Sequence, residues 1–192
     1  MRTAIFGGSF NPIHLGHLVM ADEILGSGLC EKVLFVPAFL PPHKSIADPG
    51  ADFRYSMIQE SIDGLDGLGV DDCEIQRRGI SYTIETIRRL VEEKTISPKP
   101  LLLIGDDLAE GFWKWREPEA LLEACEIVVF HRKYRERWPA AFPHTYVDNP
   151  ILPISSTMVR ERIAQGKPWR FLVPDGARKI IETNRLYMDK NA

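Results

Sequence analysis

His14 and His17 stand three residues apart, directly after the run Phe6-Gly7-Gly8-Ser9-Phe10-Asn11-Pro12, and that spacing suits the binding of an anion. Residues three apart on a helix share a face. Asn11 followed by Pro12 is a helix-start signal: an N-cap side chain, then a residue whose missing N–H is no loss at the first helical position. A helix begun near Pro12 sets both imidazoles on its first turn, where free backbone N–H groups and the positive dipole end also point. Beside a glycine loop, the ligand such a turn best houses is a polyphosphate. Gly8 would let a nucleotide approach the backbone, and Gly16 would leave room between the histidines for phosphate oxygens. Taken singly, a histidine near a helix start serves equally as a cap or a surface residue.

Other residues along the chain carry polar chemistry at the ends of apolar runs. His43 and Lys44 follow Pro41-Pro42 in a rigid loop, and a solvated charge pair is the alternative reading there. Ser81-Tyr82-Thr83 precede a helical pattern and can cap it. Asp106 and Asp107 follow the most apolar run, Leu101 to Ile104, where they can bind a ribose, hold a metal-bound phosphate or cap a short helix. Of Trp113 and Trp115, one is expected in the core and the other as a stacking plate. Ser155, Ser156 and Thr157 open a second helix N-terminus, with Arg160 one turn in on the side of Ser156, where an Arg can also be a plain surface charge.

The elements that must position these residues alternate. Thr3 to Phe6, Lys32 to Val36, Val70 to Gln76, Leu101 to Ile104, Ile127 to Phe130 and Tyr146 to Asp148 read as strands. Between them, helical spacing predicts helices from His14 to about Gly26, over Asp52 to Ile62, after Thr83 (Ile84, Ile87, Leu90, Val91) and over Pro118 to Ala124. Two more helices, one after Ser156 and one over Pro174 to Asn184, close the chain. The pattern is an α/β fold, a doubly wound parallel sheet in a single domain over 1–192, with a C-terminal helical part from about 154 to 192. In such sheets ligands sit at the carboxyl ends of the strands, where the residues above fall.

Composition narrows the partners. The chain has 192 residues, 44% of them hydrophobic, and a net charge of −3 without blocks of one sign, so duplex nucleic acid is not an expected partner. No apolar run approaches the roughly 20 residues of a membrane helix, and no signal segment opens the chain. Cys30, Cys73 and Cys125 are widely spaced, which fits reduced buried thiols and a cytoplasmic protein. Assembly into a homo-oligomer is left open.

The string Gly7-Gly8-Ser9-Phe10-Asn11-Pro12-Ile13-His14-Leu15-Gly16-His17 resembles the G-x-F-x-P-x-H-x-G-H signature of the nucleotidyltransferase superfamily, and Ile154-Ser155-Ser156-Thr157-x-x-Arg160 resembles its closing I-S-S-T-x-x-R motif. Within it, Pro41-Pro42-His43-Lys44, Ser81-Tyr82-Thr83, Gly105-x-Asp107 with Trp115, and Phe171-Leu172-Val173-Pro174 are similar to bacterial nicotinate-mononucleotide adenylyltransferases. The resemblance implies a Rossmann-like fold and adenylyl transfer from ATP to nicotinate mononucleotide, giving nicotinate adenine dinucleotide and pyrophosphate. It implies His14, His17 and Arg160 as catalytic residues, with Gly8, Ser9, Phe10, Asp107, Ser155 and Ser156 on ATP. His43 and Lys44 would face the acceptor phosphate, Thr83 and Trp115 its pyridine ring. Mg2+ would be held mainly by ATP oxygens, without a metal site of protein ligands. Two departures bear on loop geometry: His131-Arg132-Lys133-Tyr134 stands where relatives often have a basic-Pro-Gly turn, and Asp106 replaces a commonly small residue. The alternatives are an adenylyltransferase or cytidylyltransferase for nicotinamide mononucleotide or phosphopantetheine, and a nucleotide-binding regulator without turnover.

Overall fold

Six short runs rich in Val, Ile, Leu and Phe form the sheet of this protein, seen in a computed structural model that describes residues 1–41, 49–134, 136–137 and 139–188. They are β1 (Thr3–Gly8), β2 (Lys32–Pro37), β3 (Leu68–Val70), β4 (Leu101–Gly105), β5 (Glu126–Phe130) and β6 (Thr145–Val147). All neighbours pair in parallel, in the order β3-β2-β1-β4-β5-β6. This is the doubly wound order, whose direction reverses between β1 and β4 and opens a crevice at their carboxyl ends.

Successive side chains on a strand point to opposite faces, and every central strand here is apolar on both. Ala4, Phe6, Val33, Phe35, Leu101, Leu103, Val128 and Phe130 enter one core. Ile5, Leu34, Val36, Leu102, Ile104, Ile127 and Val129 enter the other. The first core is covered by α1 (Leu15–Gly26), α2 (Ala51–Ile62), α7 (Ser156–Ala164) and α8 (Asp175–Thr183). The second takes buried residues from α3 (Cys73–Arg77), α4 (Thr83–Glu92), α5 (Asp106–Ala109) and α6 (Pro118–Ala124). The expected doubly wound sheet is therefore present, in one domain.

Two helices lie closer than the rest. A Cβ on Gly176 would overlap the backbone of Glu60, and the Ala177 amide donates to Ser61 Oγ at 3.1 Å, so α8 is pinned against α2. Cys30, Cys73 and Cys125 are free and buried, as expected for thiols that pack. Among the described residues no helix is long and apolar enough to cross a membrane.

One predicted strand is different in the structure. Val70 to Gln76 is not a strand: β3 ends at Val70 and Cys73–Arg77 is helical. The Asp71 carboxylate accepts the Cys73 amide, and the Gln76 amide bonds to the Asp72 carbonyl, so two side-by-side aspartates stop the strand and start a turn of helix.

Candidate active site

β1 runs out at Gly8 on the sheet's axis, and the next six residues turn the chain into α1. The helix begins at Leu15 with His14 as its N-cap, three residues later than Asn11-Pro12 predicts. The Asn11–Pro12 bond is cis, and the Asn11 side chain accepts the Tyr187 hydroxyl at 2.6 Å instead of capping a helix. His14 and His17 still share the first turn. Their rings stack at 3.7 Å between centroids.

The pair is held in one chemical state. The His14 amide donates to His17 Nδ1 at 3.1 Å, which makes Nδ1 an acceptor and leaves the proton of a neutral His17 on Nε2. Both ring nitrogens of His14 are buried without a hydrogen-bond partner, the kind of orphaned polar group that a ligand satisfies. Burial, and then the positive charge of Arg132, lower the His14 pKa to about 3. Burial, His14 and Arg132, in that order, push His17 well below its ordinary value. Two neutral imidazoles therefore face the crevice, and each can donate one N–H.

Glycine and phenylalanine shape the turn. A Cβ on Gly16 would lie 3.1 Å from the His14 ring, so the space this glycine leaves is filled by the imidazole itself rather than kept for phosphate oxygens. Gly8 makes way for the Phe10 ring, 3.0 Å from where its Cβ would stand. That ring is core: it is 2% exposed and meets His17 edge-on at 5.0 Å, so Phe10 and Ser9 can offer a ligand only their backbone or, for Ser9, a hydroxyl.

The closing motif docks on the same turn. Ser156 Oγ donates to the Pro12 carbonyl at 2.8 Å, and Arg160 Nη1 to the Asn11 carbonyl at 2.8 Å. Ser155 has another task, accepting the Met158 amide at 3.1 Å as the N-cap of α7. Residues nearly 150 positions apart thus form one wall.

The opposite wall is the carboxyl end of β4. The two aspartates there divide their labour. Asp106 is fully buried and accepts the amides of Lys133 and Tyr134 at 2.9 and 3.0 Å, which ties down the loop after β5. Asp107 Oδ1 is buried without a partner, while Oδ2 lies 3.5 Å from Arg132 Nη1. A Cβ on Gly105 would overlap both the Asp107 carboxylate and the Arg132 side chain. Arg132 is the functional candidate that sequence reasoning missed. Its signal was the basic run after β5, but nothing in that run says which cation lies beside Asp107.

Of the residues read as acceptor-binding, Thr83 opens α4, whose N-cap is Tyr82 rather than Ser81. Ser81 Oγ is used elsewhere, accepting the Phe39 amide at 3.0 Å. Thr83 heads the helix, and the Arg116 guanidinium lies 4.4 Å over the Tyr82 ring, which brings the Trp115–Arg116 segment to it. Trp115 is half-buried and Trp113 exposed; the core aromatic of this stretch is Phe112, 5.7 Å from Trp115, and not one of the two indoles. His43 and Lys44 lie outside the described residues.

A cavity of about 610 Å3, lined by His131, Asp148, Asn149, Ile151 and Pro153, opens past the carboxyl ends of β5 and β6. Among the described residues no group of three or more His, Cys, Asp or Glu side chains could hold a metal ion. Asp107, whose Oδ1 is unpartnered, is the oxygen donor here that would suit a hard divalent cation arriving on a polyphosphate.

Comparison with known proteins agrees with this geometry. A family model described as cytidylyltransferase-like matches residues 5–162. A probable nicotinate-nucleotide adenylyltransferase of Borreliella burgdorferi is 41% identical over 191 residues, covering 99% of this chain and 98% of that protein. One of Streptococcus pneumoniae is 34% identical, covering 97% and 88%. In fold, the chain matches a Plasmodium falciparum nicotinic acid mononucleotide adenylyltransferase complexed with NaAD, at a TM-score of 0.81, 20% identity and 97% coverage of each chain. With a family model matching most of the chain and relatives 34% to 41% identical over nearly its full length, the chain belongs to the cytidylyltransferase-like family, among the nicotinate-nucleotide adenylyltransferases.

Proposed function

We propose that the crevice transfers the adenylyl group of ATP to nicotinate mononucleotide, releasing pyrophosphate. The observation that carries the reading is the His14–His17 pair, two neutral imidazoles at a helix N-terminus, one of them with both nitrogens unsatisfied. The acceptor's phosphate oxygen attacks the α-phosphorus in line. The bond from that phosphorus to the bridging oxygen breaks, and its electron pair leaves with pyrophosphate.

An ionised phosphate already carries its nucleophilic oxygen, so no general base is called for; catalysis is positioning and neutralisation of charge. His17 Nε2–H and a His14 N–H donate to phosphate oxygens, with the backbone of Gly8, Ser9 and Phe10 beneath them. Arg160 and Ser156 close on the triphosphate from α7, and Arg132 adds a second guanidinium from the β5 side. Asp107 Oδ1, an acceptor without a donor, takes a ribose hydroxyl. Mg2+ carried on the ATP oxygens, with Asp107 the carboxylate at hand, supplies further neutralisation of the developing charge. On the acceptor side, the first N–H groups of α4 at Thr83 receive the pyridine carboxylate, Trp115 stacks on the ring, and His43 and Lys44 take the phosphate.

ATP labelled at its α-phosphate, incubated with nicotinate mononucleotide and the protein, tests this. The label should pass into a dinucleotide, with one pyrophosphate released per dinucleotide. Label recovered as AMP or left in ATP would refute the assignment.

A further inference from the structure

Arg54 stands on α2, outside every motif named above, and yet its side chain is 1% exposed. A guanidinium is almost never buried without a structural reason, because removing a cation from water is expensive unless its donors are satisfied. Here the two terminal nitrogens are satisfied by the backbone, while Nε is buried without a partner. Nη1 donates to the carbonyls of Ser9 at 2.9 Å and Ala38 at 2.6 Å, and Nη2 donates to the carbonyl of Phe39 at 3.2 Å. Among the described residues no carboxylate forms an ion pair with it.

Those three carbonyls belong to the two sides of the crevice. Ser9 is in the turn beneath the histidines, while Ala38 and Phe39 directly follow the carboxyl end of β2. The second segment is gripped from its other side as well. The Phe39 amide donates to Ser81 Oγ, and the Ser81 amide donates to the Leu40 carbonyl at 2.9 Å. Ser81 directly precedes Tyr82 and Thr83 at the head of α4, and Glu74 and Thr86 bond to each other at 2.5 Å in the same buried network. The base of the strut is firm, since α8 is packed on α2 without room for a Cβ at Gly176.

We propose that Arg54 is a positioning residue that fixes the distance between the nucleotide turn at Ser9 and the Ala38–Leu40 segment tied to the head of α4, so that the acceptor phosphate and the α-phosphorus meet in line. This rests on the adenylyl-transfer reading above. A planar fork with several donors reaches two segments at once, and a lysine ammonium on a flexible stem does not hold that angle. The effect belongs to the chemical step: a shift of about 1 Å between reacting groups can cost about a hundredfold in rate while each partner still finds its own contacts.

Arg54→Met and Arg54→Lys test it. Three readouts are needed: kcat per folded molecule well below the Tm, affinity for α,β-methylene ATP and for nicotinate mononucleotide each alone, and hydrogen exchange at the amides of residues 9–11 and 38–40. The strut predicts that kcat falls about thirtyfold or more in Arg54→Met and less in Arg54→Lys, with each separate affinity within about threefold and faster exchange in both segments. A kcat within about threefold of wild type, with only Tm reduced, would make Arg54 a stabilising charge and overturn the proposal. Unchanged exchange in either segment would overturn it too, whichever of the two variants folds. Failure of the adenylyl-transfer reading looks different, because the wild type itself then forms no dinucleotide while the exchange comparison stays readable.

Discussion

The amide of His14 donates to Nδ1 of His17, and the two rings stack at 3.7 Å, so the N-cap of α1 and its third residue fix each other's orientation before any ligand arrives. Such preorganisation is what an enzyme without a covalent step has to offer, since donors already aimed at the developing charge need no rearrangement in the transition state.

His17→Ala should lower kcat by about a hundredfold or more, the usual loss for one preorganised donor. It also removes the acceptor for the His14 amide, so stability should drop by about 0.5–2 kcal/mol, as for other N-terminal caps. Single-turnover rates measured beside thermal melts separate the two effects. Near-normal turnover would remove His17 from the catalytic set.

Ligand-free protein should lose stability in acid because of these rings. His14 has a folded pKa of about 3 against an ordinary value near 6.5, so between those pH values the unfolded chain binds the proton and the folded chain does not. That contribution is complete above pH 6.5 and is lost progressively as pH falls toward 3. Urea melts of wild type and His14→Gln over pH 7 to 4.5 isolate it from carboxylates elsewhere. The wild-type curve should fall more steeply with acid than that of the variant, and parallel curves would contradict the burial argument.

Arg160→Lys should remain slow. Arg160 Nη1 holds the Asn11 carbonyl and Nη2 approaches Thr157 Oγ1 at 3.3 Å, so its fork braces the turn that precedes α1. Hydrogen bonds to charged groups contribute about 1.5–3 kcal/mol, which translates into a loss of roughly tenfold to a hundredfold in kcat/KM for ATP. Wild-type kcat/KM in this variant would reduce Arg160 to a surface charge.

Asp107→Ala should raise the KM for ATP by about tenfold, the loss of one hydrogen bond to a charged acceptor. The assignment to ribose makes a sharper prediction. Wild type should discriminate against one of the two deoxyribose analogues of ATP, and Asp107→Ala should not. If the variant keeps the same preference, the unpartnered Oδ1 serves some other donor.

Much of this was legible in the sequence because the relevant signals are local. An unbroken apolar run such as Leu101 to Ile104 marks both a strand and its burial on two faces. The two motif strings mark both helix N-termini of the site. Misreadings arose where a distant partner decides. Asn11 is a good helix cap by type, but Tyr187, 176 residues away, uses its side chain, and the helix starts later. Cys73-Glu74-Ile75-Gln76 alternates like a strand, yet Asp71 and Asp72 turn it into a helix. Nothing local singles out Arg54 or Arg132, since only the fold reveals that one lies under Ser9 and Ala38 and the other beside Asp107.

The most direct measurement compares two acceptors that differ only in carboxylate against carboxamide. At equal ATP, parallel steady-state assays should give nicotinate mononucleotide a kcat/KM at least about a hundredfold above that of nicotinamide mononucleotide, because amide donors facing the N–H groups of α4 leave polar groups unmatched. A ratio near one, or one favouring the amide, would contradict the account.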